Sequence, residues 1–284
     1  MNFENLKKLK NEQFYRYFGI KRFHFDEMLT KLIEIENLKK TKGRKYKLSV
    51  EERLMMTLVY WKEYYTFFQM SIKYKMSASS CFRNITWVEN KLSDDKDYQF
   101  LKTKYKSKIE KKTRRFKWIS ILFNWFNWNW NWKTNQKKLQ LEYFSGKSWM
   151  FSIKFQIIYD FFNKKIVDIF ADNGKLHDFQ ILKNSNLEFS EKTIIIGDLG
   201  YQGIQNIYKN TILPIKKTKN KKLTKQEKNY NKIISKIRIK VEHVFAWLKR
   251  FKILINKCRK SIFRLMYLRF NLLCEIFNKK KPLK

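Results

Sequence analysis

"KTIIIGDLGYQG" occupies residues 192–203. Three consecutive isoleucines ending in Gly-Asp predict a short strand buried on both faces, with Asp198 at its end. A carboxylate at the carboxyl end of a central strand faces the crevice where α/β proteins take up ligands. The plainer reading of Asp198 is a turn or N-cap aspartate. Upstream, "FKWISILF" (116–123), "MFSIKFQIIYD" (150–160) and "KIVDIFAD" (165–172) read as strands, with "DFFNKK" as a hairpin turn between the last two. Downstream comes a Gly-containing loop and helix, then a basic loop. A long amphipathic helix is predicted from about 229 to 255, with Ile233, Ile237, Val241, Val244, Phe245 and Leu248 inward. "KSIFRLMYLRFNLLCEIFN" is predicted as a last helix, apolar on most sides and packed against the sheet. Strands, a helix, a strand and then helices give an α/β fold with a mixed sheet flanked by helices.

The chain ahead of the strands is of another kind. "LSVEERLMMTLVYWKEYY" opens with Ser49 and Glu52 in capping-box spacing and runs on as one apolar helical face. "TFFQMSIKYKM" is a second, shorter helix. "SASSCFRNITWVENKL" is a third, capped by Ser77 or Ser79, with Phe82, Ile85, Val88 and Leu92 inward. Three helices with a short turn before the last outline an all-α helix-turn-helix domain. Ser80, Arg83, Asn84 and Thr86 near the start of the third helix are types that reach base edges or phosphates. The domains expected are a basic helical extension (1–47), the helix-turn-helix (48–97), a charged connector (98–115), the α/β domain (116–278) and a basic tail (279–284).

The balance of charge points at the partner. Among 284 residues, 63 Lys and Arg stand against 25 Asp and Glu, a net charge of +38. Such a charge draws polyanions, nucleic acid first among them. Lys richness inherited from an AT-rich gene would swell the same number. Cys81, Cys258 and Cys274 stand apart with no CxxC pair, which excludes a zinc ribbon or disulfide framework and suits reduced thiols in a cytoplasmic protein. No window approaches the ~18 apolar residues of a membrane span, and no signal-peptide run opens the chain. P-loop and GxGxxG patterns are missing too.

The acids carry the chemistry. Glu242 lies inside the long helix, with Arg238 four residues before it and Lys249 seven after. Asp198 and Glu242 could jointly hold Mg²⁺, which takes a few carboxylates, water and phosphate oxygens, while Arg238 and Lys249 steady phosphates. Two such ions about 4 Å apart would activate water and stabilise a leaving oxygen in phosphodiester cleavage. A surface ion pair is the plainer reading of Glu242. His177 and Asp178, in "GKLHDF", follow the third strand and would otherwise be a loop hydrogen bond.

Taken in order, residues 48–89, "YFSGK", "GKLHDF", "GDLGYQGI", "LTKQEKNYNKIISKIRIKVEHVFAWLKRFKIL" and "LRFNLL" resemble the DDE transposases of bacterial insertion sequences. The resemblance covers residues 48 to about 278. It implies an RNase H-like catalytic core behind a helix-turn-helix. It implies strand cleavage and transfer with Mg²⁺ or Mn²⁺ at the terminal inverted repeats of an element, in duplex DNA, by a homo-oligomer. On these motifs Asp198 matches the second acid and Glu242 the third. Arg238 and Lys249 match basic positions around it, and His177 and Asp178 match the "HD" after the third strand.

The first acid is where the pattern breaks. The family carries it at the end of the first strand, in a string like I-D-x-T-E. Here "ILFNWFNWNWNWK" stands, and residues 116–132 contain no Asp or Glu. Asn124 falls nearest the expected place, and its amide cannot supply the charge of a bridging carboxylate. The resemblance therefore implies a transposase impaired at its first acid. Asp172, at the end of the third strand, is the candidate substitute. The rival readings are a protein that binds element ends without cutting them, and a basic RNA-associated structural protein. The stretch from 125 to 132 reads as a loop, and exposed Trp125, Trp128, Trp130 and Trp132 there would lower solubility.

Overall fold

The computed structural model describes residues 3–38, 47–94, 120–130, 144–145, 150–185, 187, 189–218, 222–256 and 263–279. The connector 98–115, most of the linker 39–47, residues 280–284, Cys258 and Trp132 lie outside them. The chain forms two compact units. The first holds Met1–Phe100, Leu248–Asn256 and Ile262–Lys284; the second holds Leu101–Trp247 and Lys257–Ser261.

The first unit is all helix: α1 (Phe3–Lys7), α2 (Asn11–Phe18), α3 (Arg22–Asn37), α4 (Val50–Glu63), α5 (Phe67–Tyr74), α6 (Ala78–Asp94), and from the far end of the chain α9 (Lys252–Ile255) and α10 (Phe263–Asn278). Local chemistry sets the helix starts. Ser49 N–H donates to Glu52 Oε2 at 2.8 Å and Glu52 N–H to Ser49 Oγ at 3.2 Å. Thr66 and Gln69 repeat the exchange ahead of α5. Ser77 Oγ accepts the N–H of Ser80 at 3.2 Å ahead of α6. Cys81, Ile85, Val88 and Leu92 turn inward from α6, while Phe82 is only half-buried.

Expected against the sheet, α10 belongs to the helical unit instead. Glu89 of α6 is fully buried and accepts three hydrogen bonds: Trp61 Nε1 at 2.8 Å, Arg269 Nε at 2.7 Å and Arg269 Nη2 at 3.1 Å. A buried carboxylate is stabilised by a charged partner with bidentate geometry, and the arginine of α10 supplies it here. Lys279 pairs with Glu27, and Lys252 with Glu63. Gly19, at φ 80°, ends α2 against Phe251; a Cβ there would lie 3.0 Å from the ring.

The second unit carries a sheet of six strands: β1 (Ser120–Trp130), β2 (Phe144–Ser145), β3 (Met150–Asp160), β4 (Lys165–Asn173), β5 (Ile195–Ile196) and β6 (Thr211–Ile212). The order is β2-β3-β1-β5-β6, with β4 also pairing β3. β3 is antiparallel to β1 and β4, while β5 is parallel to β1 and to β6. Helix α7 (Asp178–Asn184) and all but the last residue of α8 (Lys225–Leu248) belong to the same unit. This is a mixed α/β arrangement. Ile158, Phe170, Ile181, Ile195 and Tyr201 share its buried cluster.

Three expectations change. β1 runs through the Asn–Trp stretch to Trp130 rather than stopping at Phe123, so residues 125–130 are strand and not loop. "LGYQGIQNIYKN" forms two short 3₁₀ turns, Leu199–Tyr201 and Ile204–Asn206, in place of a helix. The long helix begins earlier and ends earlier. Thr224 and Glu227 exchange hydrogen bonds at 2.7 and 3.2 Å, a capping box that starts α8 at Lys225. It stops at Leu248, and α9 is separate. Its inward face takes Ile234 (2% exposed) in place of Ile233 (55%).

Candidate functional site

Asp198 follows β5 by two residues and caps the first 3₁₀ turn, its Oδ1 accepting the Gly200 N–H at 2.9 Å. Its carboxyl is half-buried. Burial pushes its pKa up, the Gly200 N–H and the Arg238 charge draw it back, and neighbouring Asp178 adds to the rise. The two acids meet across Gly200: a Cβ on that glycine would lie 2.5 Å from Asp178 Oδ2 and 3.1 Å from Asp198 Oδ1. Only a residue without a side chain leaves room there.

Asp178 is the first residue of α7 and is held from β3. Lys154 Nζ lies 3.2 Å from Asp178 Oδ1 and donates to the Leu176 carbonyl at 2.7 Å. Two residues along the same strand face, fully buried Gln156 donates its amide to the Tyr201 hydroxyl. Tyr201 is buried as well, and the charges of Asp198 and Asp178 both act on it. Lys154, Gln156 and Gly200 were not singled out from the sequence. The signal was present: Ser152, Lys154 and Gln156 put polar residues at every second place between the apolar residues 150–158.

β1 brings the altered stretch alongside. Ser120 pairs with Ile195 and Ile121 with Ile196. Two residues further on stand Phe123 and Asp198, with Asn124 next. On the other edge Asn124 pairs with Gln156. The ladder slips between Asn124 and Asn127, where three steps on β1 match two on β3, a β-bulge at Trp125–Phe126.

The remaining candidates are spread out. Arg238 of α8 acts on Asp198 electrostatically. Glu242, one turn on, is exposed. Lys249 follows the last residue of α8. His177 is the exposed N-cap residue of α7 and makes no side-chain cap bond. Asp172 is the last residue but one of β4, which runs in the same direction as β1. Its carboxylate accepts the Asn173 N–H at 2.7 Å and the Asn184 amide at 3.4 Å. Among the described residues no group of three or more His, Cys, Asp or Glu could hold a metal ion. The pair Asp178 and Asp198 suits at most one hard divalent cation completed by water and phosphate oxygens.

On α6, Arg83 is exposed and Thr86 half-buried. Asn84 turns back on its own helix, donating to the Ser80 carbonyl at 2.8 Å. Ser80 Oγ accepts the Ser77 hydroxyl at 2.9 Å. No helix among the described residues is long and apolar enough to cross a membrane.

Comparison with known proteins places these parts together. Residues 46–95 match the helix-turn-helix of DDE superfamily endonuclease, and residues 132–278 match the DDE superfamily endonuclease itself. A probable transposase for insertion sequence element IS702 from Microchaete diplosiphon is 34% identical over 284 residues, covering 100% of both chains. No solved structure matches. A helix-turn-helix unit, a mixed sheet with Asp198 beside its central strand, and likeness along the whole chain give one answer: the protein belongs to the DDE-type transposases of insertion sequences.

Proposed function

We propose that the chain binds duplex DNA at the terminal inverted repeats of its own element, as a homo-oligomer. Its second unit is then an RNase H-like core for strand cleavage and transfer with Mg²⁺ or Mn²⁺, impaired in this copy. The sheet order supports the core: three antiparallel strands continued by two parallel ones. Asp198 and Glu242 take the roles of second and third acid, with Arg238, Lys249, His177 and Asp178 in support. Bound metal would stabilise the attacking and leaving oxygens of the phosphodiester. The residues here would hold that charge through Asp198, orient its carboxylate with the Gly200 N–H, and balance it with Arg238.

One observation carries the impairment. Asn124 stands on the strand beside Asp198, where the family's first acid is expected, and 116–132 offers no carboxylate in its place. A neutral amide leaves the metal-binding charge one unit short. The test is cleavage of a labelled element end with Mg²⁺ or Mn²⁺ by the native chain and by Asn124→Asp. Cutting by the Asp variant alone supports the reading. Cutting by the native chain overturns the impairment, and Asp172→Asn or Asp178→Asn then shows whether either acid serves instead.

A second reading rests on the same residue. With Asn124 in place and the helix-turn-helix intact, the chain occupies element ends without cutting them. Footprinting on an inverted repeat by the native chain and by Asn124→Asp, with no nick from either under any metal condition, distinguishes it.

A further inference from the structure

The buried face of α6 fixes which of its residues meet the duplex. Cys81, Ile85, Val88 and Leu92 point into the helical unit, and Glu89 is held by Trp61 and Arg269. Directly opposite, Ser79, Arg83, Thr86 and Asn90 fall at i, i+4, i+7 and i+11, within one narrow stripe of the helix. Ser79, Arg83 and Asn90 are exposed and Thr86 is half-buried. Asn84 lies off this stripe with its amide already donated to Ser80, and the Ser80 hydroxyl belongs to the cap. Exposed Lys47 and Lys75 stand together before the helix, the Lys47 ammonium donating to the Lys75 carbonyl at 3.3 Å. Exposed Asp94 ends the stripe with a charge that phosphates repel.

We propose that Ser79, Arg83, Thr86 and Asn90 form the base-reading edge, with Arg83 selecting a guanine and Asn90 an adenine. This rests on the DNA-binding reading above. Arg presents a fork to guanine O6 and N7, and Asn pairs likewise with adenine N6 and N7. Seven residues separate them, about 10.5 Å along a helix rising ~1.5 Å per residue, or about three base pairs at ~3.4 Å each. Thr86 between them offers its methyl to a thymine. Lys47 and Lys75 hold the flanking phosphates and carry no sequence preference.

The experiment is selection from a random duplex library at fixed salt with the full-length protein and four variants. Arg83 and Asn90 are exposed and Asn84 is half-buried, and thermal melts matching the native chain verify that all four variants fold. The native protein should enrich a guanine and an adenine about three base pairs apart. Arg83→Ala should flatten the guanine, and Asn90→Ala the adenine, each by about 5- to 150-fold. Asn84→Ala should leave both positions unchanged. Arg83→Gln should move the first preference from guanine to adenine, a change that lost stability cannot produce. The proposal is overturned if Asn84→Ala relaxes the motif while Asn90→Ala does not. It is equally overturned if Arg83→Ala and Asn90→Ala weaken every sequence alike with the motif intact. A native protein that enriches no sequence removes the DNA-binding reading itself, and the proposal with it.

Discussion

His24 lies in α3 with its ring against Phe23, centroids 3.9 Å apart, and is buried. Burial, with the charges of Lys21 and Lys279 adding, lowers its pKa from 6.5 to about 4. Between those values the unfolded chain binds a proton that the folded one refuses, so stability falls as pH drops from 6.5 towards 4. Urea midpoints of the native chain and His24→Phe over that range should diverge, with the variant losing less. Equal slopes would exclude this histidine as the source. Gly200 makes a second prediction at this scale. Gly200→Ala drives a methyl onto the Asp178 carboxylate and should cost about 1–3 kcal/mol. Removing the obstructing oxygen with Asp178→Ala should make the two changes non-additive in a double-mutant cycle; strict additivity would place the clash elsewhere.

Among the elements, helix starts were the most legible. Ser49–Glu52 was read directly, because a capping box is a local exchange between residues three apart. Thr224–Glu227 has the same form and escaped notice inside a lysine-rich run, which delayed α8 by four residues. The Asn–Trp stretch was misjudged for the opposite reason. Its period of two is a strand signal, which the asparagines, disfavoured in strands, obscure. The convergence of Asp178 on Asp198 could not be read from sequence at all. It depends on a lysine of β3 and a glycine of the following turn, brought together only by the sheet. The bulge at Trp125–Phe126 gives this scale its prediction. Deleting Phe126 restores a regular ladder and keeps Asn127 opposite Lys154. Deleting Leu122 instead turns the strand's alternation over between Ser120 and the bulge. Melting temperatures should therefore drop far less for the first deletion; equal losses would mean the bulge is required.

At the scale of the molecule, the Glu89–Arg269 pair joins residues 180 apart in sequence. An apolar helix does not announce which surface it will cover, so the docking of α10 on the helical unit was invisible beforehand. Arg269→Met leaves Glu89 charged and buried without its partner, a loss of about 3–5 kcal/mol. Replacing both, as Glu89→Leu with Arg269→Met, should recover most of it. Chemical denaturation of the two full-length variants decides the matter, and a double variant no better than the single would show that packing, not charge, is at stake.

The helical unit is sewn from three stretches of chain, and most of the sheet unit is encoded between the first and the second. During synthesis α6 leaves the ribosome long before Arg269 exists to neutralise Glu89. A nascent or prematurely terminated product therefore carries α6 on a bundle that lacks the Arg269 partner of Glu89. If α6 reads bases as proposed, shortened translation products of such a gene should be poor squatters on element ends, their competence for DNA waiting until the sheet unit has been made.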